Sequence, residues 1–381
     1  MIEMPKDDVL HVLISGDYPL ETGGVYTGPM RVVRELSHAL AALDRIRVTV
    51  LRPRRMRSGF GRLVRHRYGD VEVLEMPYLP ERWPAAREIA GDVLSVHGVS
   101  VFNSLCGRRG KKRWKVPVVY TAHGLAAMER KLGYKVTRSA LICEKKLIER
   151  SDAVTSVTED TRRKVLRCYS PKSGRVEVIG NGVDIDYFSN QAGSKLKSSE
   201  NASLKLLFVG DPVPAKGLPF LFKALSMVKK DVCRLEIVGR KSPYLEEWRT
   251  EFSSLFASGQ VCYSGPAGQE ELKNAYTRND LFILPSMYDQ CPQVLLEAMA
   301  MGLPVLVSER VGSRDIVRPG ENGFLIPYGD APHLADLLAR LRKNRSLLVK
   351  MEKKARDTAE LYSWNRVAEL YREFFAKIAR A

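Results

Sequence analysis

Two carboxylates, Asp289 and Glu297, lie eight residues apart in the stretch LFILPSMYDQCPQVLLEAMAMGLPVLVSE, from Leu281 to Glu309. A cation, Lys216, stands beside Gly217 just before an apolar helical segment. A lysine at a helix start suits an anion, because the ammonium and the unbonded first amides both face it. An imidazole, His123, ends the run VPVVYTAH. Such a set can hold a phosphate, orient a polar ligand and stabilise charge on a departing group. No carboxylate–His spacing suggests a metal site. The chain has neither a G-x-G-x-x-G fingerprint nor a Walker Lys-Ser/Thr.

The elements around these residues read as strand, loop and helix. Leu281 to Leu284 is a short apolar run stopped by Pro285, as expected of a buried parallel strand. Pro292 is expected at the first helical position, followed by a stripe of Val294, Leu295, Ala298 and Met299. Gly302 and Pro304 end that helix, and Val305 to Val307 is the next strand. Ligands of open α/β sheets collect at the carboxyl ends of strands, which is where Asp289 falls. Amides near Gln293 and Val294 are free to hold an anion.

This block resembles the E-x7-E signature of retaining family 4 glycosyltransferases of the GT-B fold, with its flanking PS and E-A-M-A-x-G-x-P-V. Asp289 stands where the family has its first Glu, and Glu297 matches the second. The resemblance implies that Asp289 touches the donor sugar and Glu297 the nucleotide ribose. It implies that Lys216, matching the family's E-K-G, binds the donor diphosphate. His123, in T-x-H-G, is implied to bond a sugar hydroxyl, and His97 resembles the site of the preceding strand. Asp289, His123 and Lys216 are thus the expected catalytic residues. Gly23 and Gly24 resemble the first-loop GG that faces donor phosphates and acceptor. Asn181-Gly182 matches the family's N-G-V-D and suits a positive-φ turn.

One departure is local. The family usually has Arg directly after the Gly that ends the first strand of the donor domain, whereas Asp211 follows Gly210 here. The next strand ends in Gly239-Arg240. Arg240 is therefore expected to supply the missing charge and to pair with Asp211, within roughly 4 Å.

At 381 residues the chain suits two domains. The resemblance implies an α/β GT-B architecture of two Rossmann-like domains facing a cleft. Residues 1–188 form the acceptor-side domain, 189–203 a linker rich in Ser, Asn and Lys, and 204–362 the donor-nucleotide domain. Residues 363–381 form a helix that packs back on the first domain. The strand, glycine-rich turn, helix, strand order of Val9 to Leu51 is consistent with this. Expected first-domain strands include Val71 to Met76, Asp92 to Phe102 and Val116 to Gly124, and Thr158 is an expected N-cap.

Charge is the unusual bulk feature. The formal net charge is +17, and residues 1–190 hold 33 Lys/Arg against 22 Asp/Glu. Nine arginines and no acidic residue lie within Arg45–Arg67. The segment carrying Arg52, Arg54, Arg55, Arg57, Arg62 and Arg65 is read as a patch for anionic lipid or a phosphate-bearing acceptor. No nucleic-acid motif accompanies it, and nucleic acid is not an expected partner. Six cysteines without a C-x-x-C pair are read as reduced thiols in a cytoplasm. No signal-peptide pattern or apolar run of about 18 residues is seen, so attachment at the cytoplasmic membrane face would be peripheral.

The expected reaction moves a hexose-type sugar from a nucleotide diphosphate sugar to a glycan, lipid-linked or phosphorylated acceptor, with retained configuration and no required metal or other cofactor. The alternatives are a nucleotide-sugar-binding protein without catalysis, motivated by Asp211 and Asp289, and a basic nucleic-acid-binding protein, motivated by the charge. A phosphorylase or synthase using a soluble sugar acceptor also fits the fold.

Overall fold

The computed structural model describes residues 9–20, 28–54, 64–77, 89–98, 116–189 and 202–380. The chain divides into two compact units. Described residues up to Gly182 group with Trp364 onward, and Val183–Ser363 forms the second unit. The expected linker lies almost wholly outside the described residues, as do Gly23 and Gly24.

The first unit is built on strands β1 (Leu10–Ser15), β2 (Ile46–Arg54), β3 (Val64–Tyr68), β4 (Val71–Pro77), β5 (Val93–His97), β6 (Val118–Ala122), β7 (Ala153–Ser156) and β8 (Val176–Val178). Their order in the sheet is β3-β4-β2-β1-β5-β6-β7-β8. Only the β3–β4 pair is antiparallel. Alternation along β1 decides its packing, since side chains of a strand point to opposite faces. Leu10, Val12 and Ile14 join a core with Val32, Val33, Leu36 and Leu40 of helix α1 (Gly28–Ala41). Leu13 turns to the other face with Leu51, Leu94 and Val96. Each such side chain, fully buried, contributes about 1.5–3 kcal/mol of hydrophobic stabilisation.

The second unit holds β9 (Leu204–Val209), β10 (Cys233–Val238), β11 (Val261–Gly265), β12 (Leu281–Leu284), β13 (Val305–Ser308) and β14 (Gly323–Ile326). This sheet is wholly parallel, in the order β11-β10-β9-β12-β13-β14. The apolar runs of β9 and β12 are buried on both faces. Leu206, Phe208, Leu281 and Ile283 fill one core, and Leu207, Val209, Phe282 and Leu284 the other. Helices α2 (Leu218–Ser226), α3 (Gln269–Arg278), α4 (Gln293–Ala300) and α5 (Arg345–Glu360) belong to this unit. Helix α6 (Trp364–Ala379) belongs to the first unit, where Val367, Tyr371 and Phe375 pack with α1, as the resemblance implied. No described helix is long and apolar enough to cross a membrane.

Several expectations need correction. Within the basic stretch, Arg52–Arg54 extend β2 against Glu75–Pro77, and Val64–Tyr68 adds an antiparallel strand. Glu72 and Glu75 on β4 pair with Arg47, Arg52 and Arg65 across the sheet. The strand expected over Asp92 to Phe102 ends at His97, and 99–102 lie outside the described residues. Pro292 is the N-cap rather than the first helical residue, with extended backbone angles, so α4 starts one residue later at Gln293. Gly182 and Asn181 do not have positive φ. Gly182 is required for space: a Cβ there would lie 2.4 Å from the Trp364 ring. Thr158 does cap its helix, its hydroxyl accepting from the Thr161 amide at 3.1 Å.

Candidate active site

In the second unit, the loops that follow β9 and β12 hold each other. After β9 the chain passes Asp211 and turns through the short 3-10 segment Pro214–Lys216. Gly217 follows with φ 73°, a left-handed conformation that starts α2 without strain only in glycine. A Cβ at Gly217 would lie 1.9 Å from the Pro285 carbonyl oxygen, so the two loops touch through backbone. The Met287 amide donates to the Ala215 carbonyl at 2.8 Å.

This packing brings Lys216 to Asp289. The Lys216 ammonium donates to the Asp289 carboxylate in an ion pair whose side chains are 24% and 16% exposed. The Asp289 backbone is fixed separately, its carbonyl accepting from the Gly312 amide at 2.6 Å. Glu297 lies on α4 and is buried, because neighbouring Leu295, Leu296, Ala298 and Met299 leave that helix almost no solvent face. Its Oε2 accepts from the Tyr276 hydroxyl of α3 at 2.9 Å. The Tyr276 hydroxyl also lies 3.2 Å from the Val294 carbonyl, which ties α3 to the first turn of α4. Gln293 is the first residue of that turn. Ser286, in the loop after β12, is fully buried, and its hydroxyl has no hydrogen-bond partner among the described residues.

Asp211 and Arg240 do pair. The Arg240 guanidinium donates to Asp211 from Nη2 at 2.6 Å and from Nε at 3.1 Å, and the Arg240 amide donates to Oδ1 at 3.0 Å. The Asp211 carboxylate, through these hydrogen bonds and its charge, raises the Arg240 pKa above the ordinary arginine range. The pair is largely solvent-exposed, so it orients Arg240 more than it stabilises the fold.

In the first unit, β5 and β6 end in neighbouring imidazoles. His97 Nδ1 lies 2.9 Å from His123 Nε2, and Ser95 Oγ lies 3.0 Å from His97 Nε2. Burial lowers the His123 pKa to about 4 and, together with the neighbouring His123, holds that of His97 well below the usual range. Both rings are therefore neutral at pH 7.

The arginine patch is only partly free. Arg52 pairs with the buried Glu75, and His66 lies 3.5 Å from the same carboxylate. Arg65 reaches Glu72 at 3.1 Å, and Arg47 reaches it at 4.0 Å. The Arg54 side chain, and all of Arg55, Arg57 and Arg62, lie outside the described residues. Tyr276, Ser95 and the two glutamates were not anticipated. Tyr276 and the two glutamates meet their partners across a helix pair or a sheet, which no local spacing marks, whereas Ser95 lies two residues before its partner His97 on the same strand.

Comparison with known proteins bears on the family and the fold. Residues 26–187 match the family model described as Glycosyltransferase Family 4. Residues 194–358 match the one described as Glycosyl transferases group 1. The chain belongs to the family 4 glycosyltransferases of the GT-B fold. The D-inositol 3-phosphate glycosyltransferase of Nocardia farcinica is 28% identical over 306 residues, covering 74% of this chain and 66% of that relative, just under two thirds of its length. The enzyme of the same name from Saccharomonospora viridis is 28% identical over 348 residues, covering 83% and 80%. Among solved structures, sucrose-phosphate synthase from Thermosynechococcus elongatus shares the fold with a TM-score of 0.77 at 21% identity, covering 97% of this chain and 100% of that one. Anabaena HepE in complex with UDP and glucose does so at 0.73 and 18%, with the same coverage.

Proposed function

We propose that this glycosyltransferase moves a hexose from a nucleoside diphosphate sugar to a phosphorylated acceptor, with retention of anomeric configuration. The observation that carries the reading is the Lys216–Asp289 ion pair at the carboxyl ends of β9 and β12. It supplies one cation suited to a diphosphate and one carboxylate suited to sugar hydroxyls, already in register. In the proposed reaction the bond between the anomeric carbon and the β-phosphate oxygen breaks. The acceptor hydroxyl oxygen bonds that carbon on the same face, and its proton passes to the departing phosphate oxygen. Lys216 and the amides at Gln293 and Val294 offset the charge growing on the leaving group. Glu297, held by Tyr276, takes the ribose hydroxyls. Arg240, steered by Asp211, adds positive charge, and Gly23 and Gly24 allow close approach to the phosphates. His123 bonds a sugar hydroxyl. No metal is assigned a role.

A phosphorylated acceptor is favoured by the arginines Arg54, Arg55, Arg57 and Arg62, and by the relatives named D-inositol 3-phosphate glycosyltransferase. An anionic membrane surface at the cytoplasmic face is a second use for the same charge. The non-catalytic reading is motivated by Asp211, which offsets Arg240, and Asp289, which offsets Lys216. The test is incubation with UDP-, GDP- and ADP-glucose and a set of sugar and cyclitol phosphates, read by mass spectrometry and by the anomeric proton coupling of the product. Transfer with the donor's configuration supports the reading. Inversion would remove the retaining mechanism, and binding without transfer would favour the non-catalytic reading.

A further inference from the structure

We infer that Ser95 and His97 form a hydrogen-bond relay that fixes His123 as the Nδ1–H tautomer, making His97 a positioning residue for the ring proposed above to meet the sugar. The inference deepens that reading and rests on it for its function, though not for its chemistry.

The direction of the relay follows from counting protons. Ser95 is fully buried on β5, and His97 Nε2 is the only hydrogen-bond partner of its hydroxyl among the described residues. A neutral imidazole has one N–H donor and one bare acceptor nitrogen. If His97 carried its proton on Nε2, that N–H would donate to Ser95 and leave the serine proton buried with no acceptor. A buried donor without a partner costs about 1–3 kcal/mol. With the opposite direction the serine proton has an acceptor and both bonds are made: Ser95 donates to His97 Nε2, and His97 Nδ1–H donates to His123 Nε2. His123 then carries its own proton on Nδ1. No described residue bonds that nitrogen, and His123, unlike His97, is only partly buried as a residue.

Two further features fit. Burial keeps both rings neutral, so the proton positions stay defined at pH 7. The Tyr371 ring of α6 lies 6.4 Å from the His97 ring, centroid to centroid, at an interplanar angle of 48°. His123 thus presents a donor, not a lone pair, and selects an acceptor atom such as a sugar hydroxyl oxygen.

The test uses the full chain, ligand-free at pH 7, with 15N-labelled histidine. The six histidine rings are assigned with single variants, and each tautomer is read from its two nitrogen shifts. The relay predicts a protonated Nδ1 and bare Nε2 on His123. It predicts the same pattern in His97→Asn, whose amide N–H replaces the Nδ1 donor, and a mixed or Nε2–H pattern in His97→Leu. Protonated Nε2 on wild-type His123 overturns the proposal, as does an unchanged His123 pattern in the leucine variant. If the leucine variant does not fold, the wild-type and asparagine spectra decide alone. Kinetics then separate the two readings. His97→Leu should lower kcat/KM roughly five-fold, the worth of one hydrogen bond, with rescue in His97→Asn. If the spectra agree but His123→Gln leaves kcat/KM unchanged, the sugar contact of His123 falls while the relay stands.

Discussion

Lys216 and Asp289 lie 73 residues apart in the chain and share a charge-assisted hydrogen bond. Lys216 is set by the turn after β9, and Asp289 by the loop after β12 and the Gly312 amide. Each charge is therefore partly offset by the other. A donor that binds here must share Lys216 with Asp289 or displace it.

Asp289→Asn separates the two roles. Releasing Lys216 should tighten binding of the bare nucleoside diphosphate by about five-fold, roughly 1 kcal/mol, the upper range for a partly exposed pair. Sugar transfer should fall at least about ten-fold, since a ligand to the sugar is weakened. Calorimetric titration with the diphosphate, beside initial rates, reads both. Weaker diphosphate binding together with full activity would remove Asp289 from the mechanism.

Tyr276→Phe should lower stability by about 2 kcal/mol, because a hydrogen bond to a buried carboxylate is lost. It should raise the donor KM more than it lowers kcat, as expected of a contact made equally in ground and transition states. Urea denaturation and initial rates check the two halves independently. An unchanged KM would mean that Glu297 keeps its place without the tyrosine.

Gly217→Ala places a Cβ against the Pro285 carbonyl and demands a left-handed backbone of alanine. A loss of about 2–4 kcal/mol in denaturant-monitored stability is expected. Donor binding should weaken as well, because the same turn carries Lys216. A variant as stable as wild type would show that the two loops can separate freely.

The buried histidines predict a pH dependence with a definite sign. Their folded pKa values lie below the ordinary 6.5, with His123 at about 4. As pH falls below 6.5 the unfolded chain takes up protons that the folded one refuses. Stability is therefore complete above 6.5 and is lost as pH drops towards 4, by up to about 1.4 kcal/mol per pH unit for each ring. Urea midpoints between pH 7.5 and 5 should show a shallower slope in His123→Gln than in wild type. Equal slopes would contradict the buried, neutral pair.

Much of this site was legible in the sequence because its signals are local. Pro285, Gly302 and Pro304 punctuate the strand, loop and helix around Asp289 and Glu297. The exchange of Arg and Asp between Gly210 and Gly239 was visible because both follow a strand-ending glycine, and the observed Asp211–Arg240 pair answers it. What escaped depends on partners distant in the chain. The run Arg45–Arg67 contains no acidic residue, yet Glu72 and Glu75 face it across β4. Tyr276 reads as an ordinary buried helix residue until Glu297 is placed beside it. Asn181-Gly182 looked like a positive-φ turn, whereas the glycine is there to admit Trp364.

The most direct test of the central claim is thermal stabilisation by UDP, GDP and ADP, each alone and as its common sugar conjugates, in wild type and Lys216→Ala. One base should stabilise the wild-type protein by several degrees, since ligand at about 100 times its Kd adds roughly 2.7 kcal/mol. The shift should shrink markedly in the alanine variant. No shift with any nucleotide, or equal shifts in the two proteins, would contradict a nucleotide-sugar site built on Lys216.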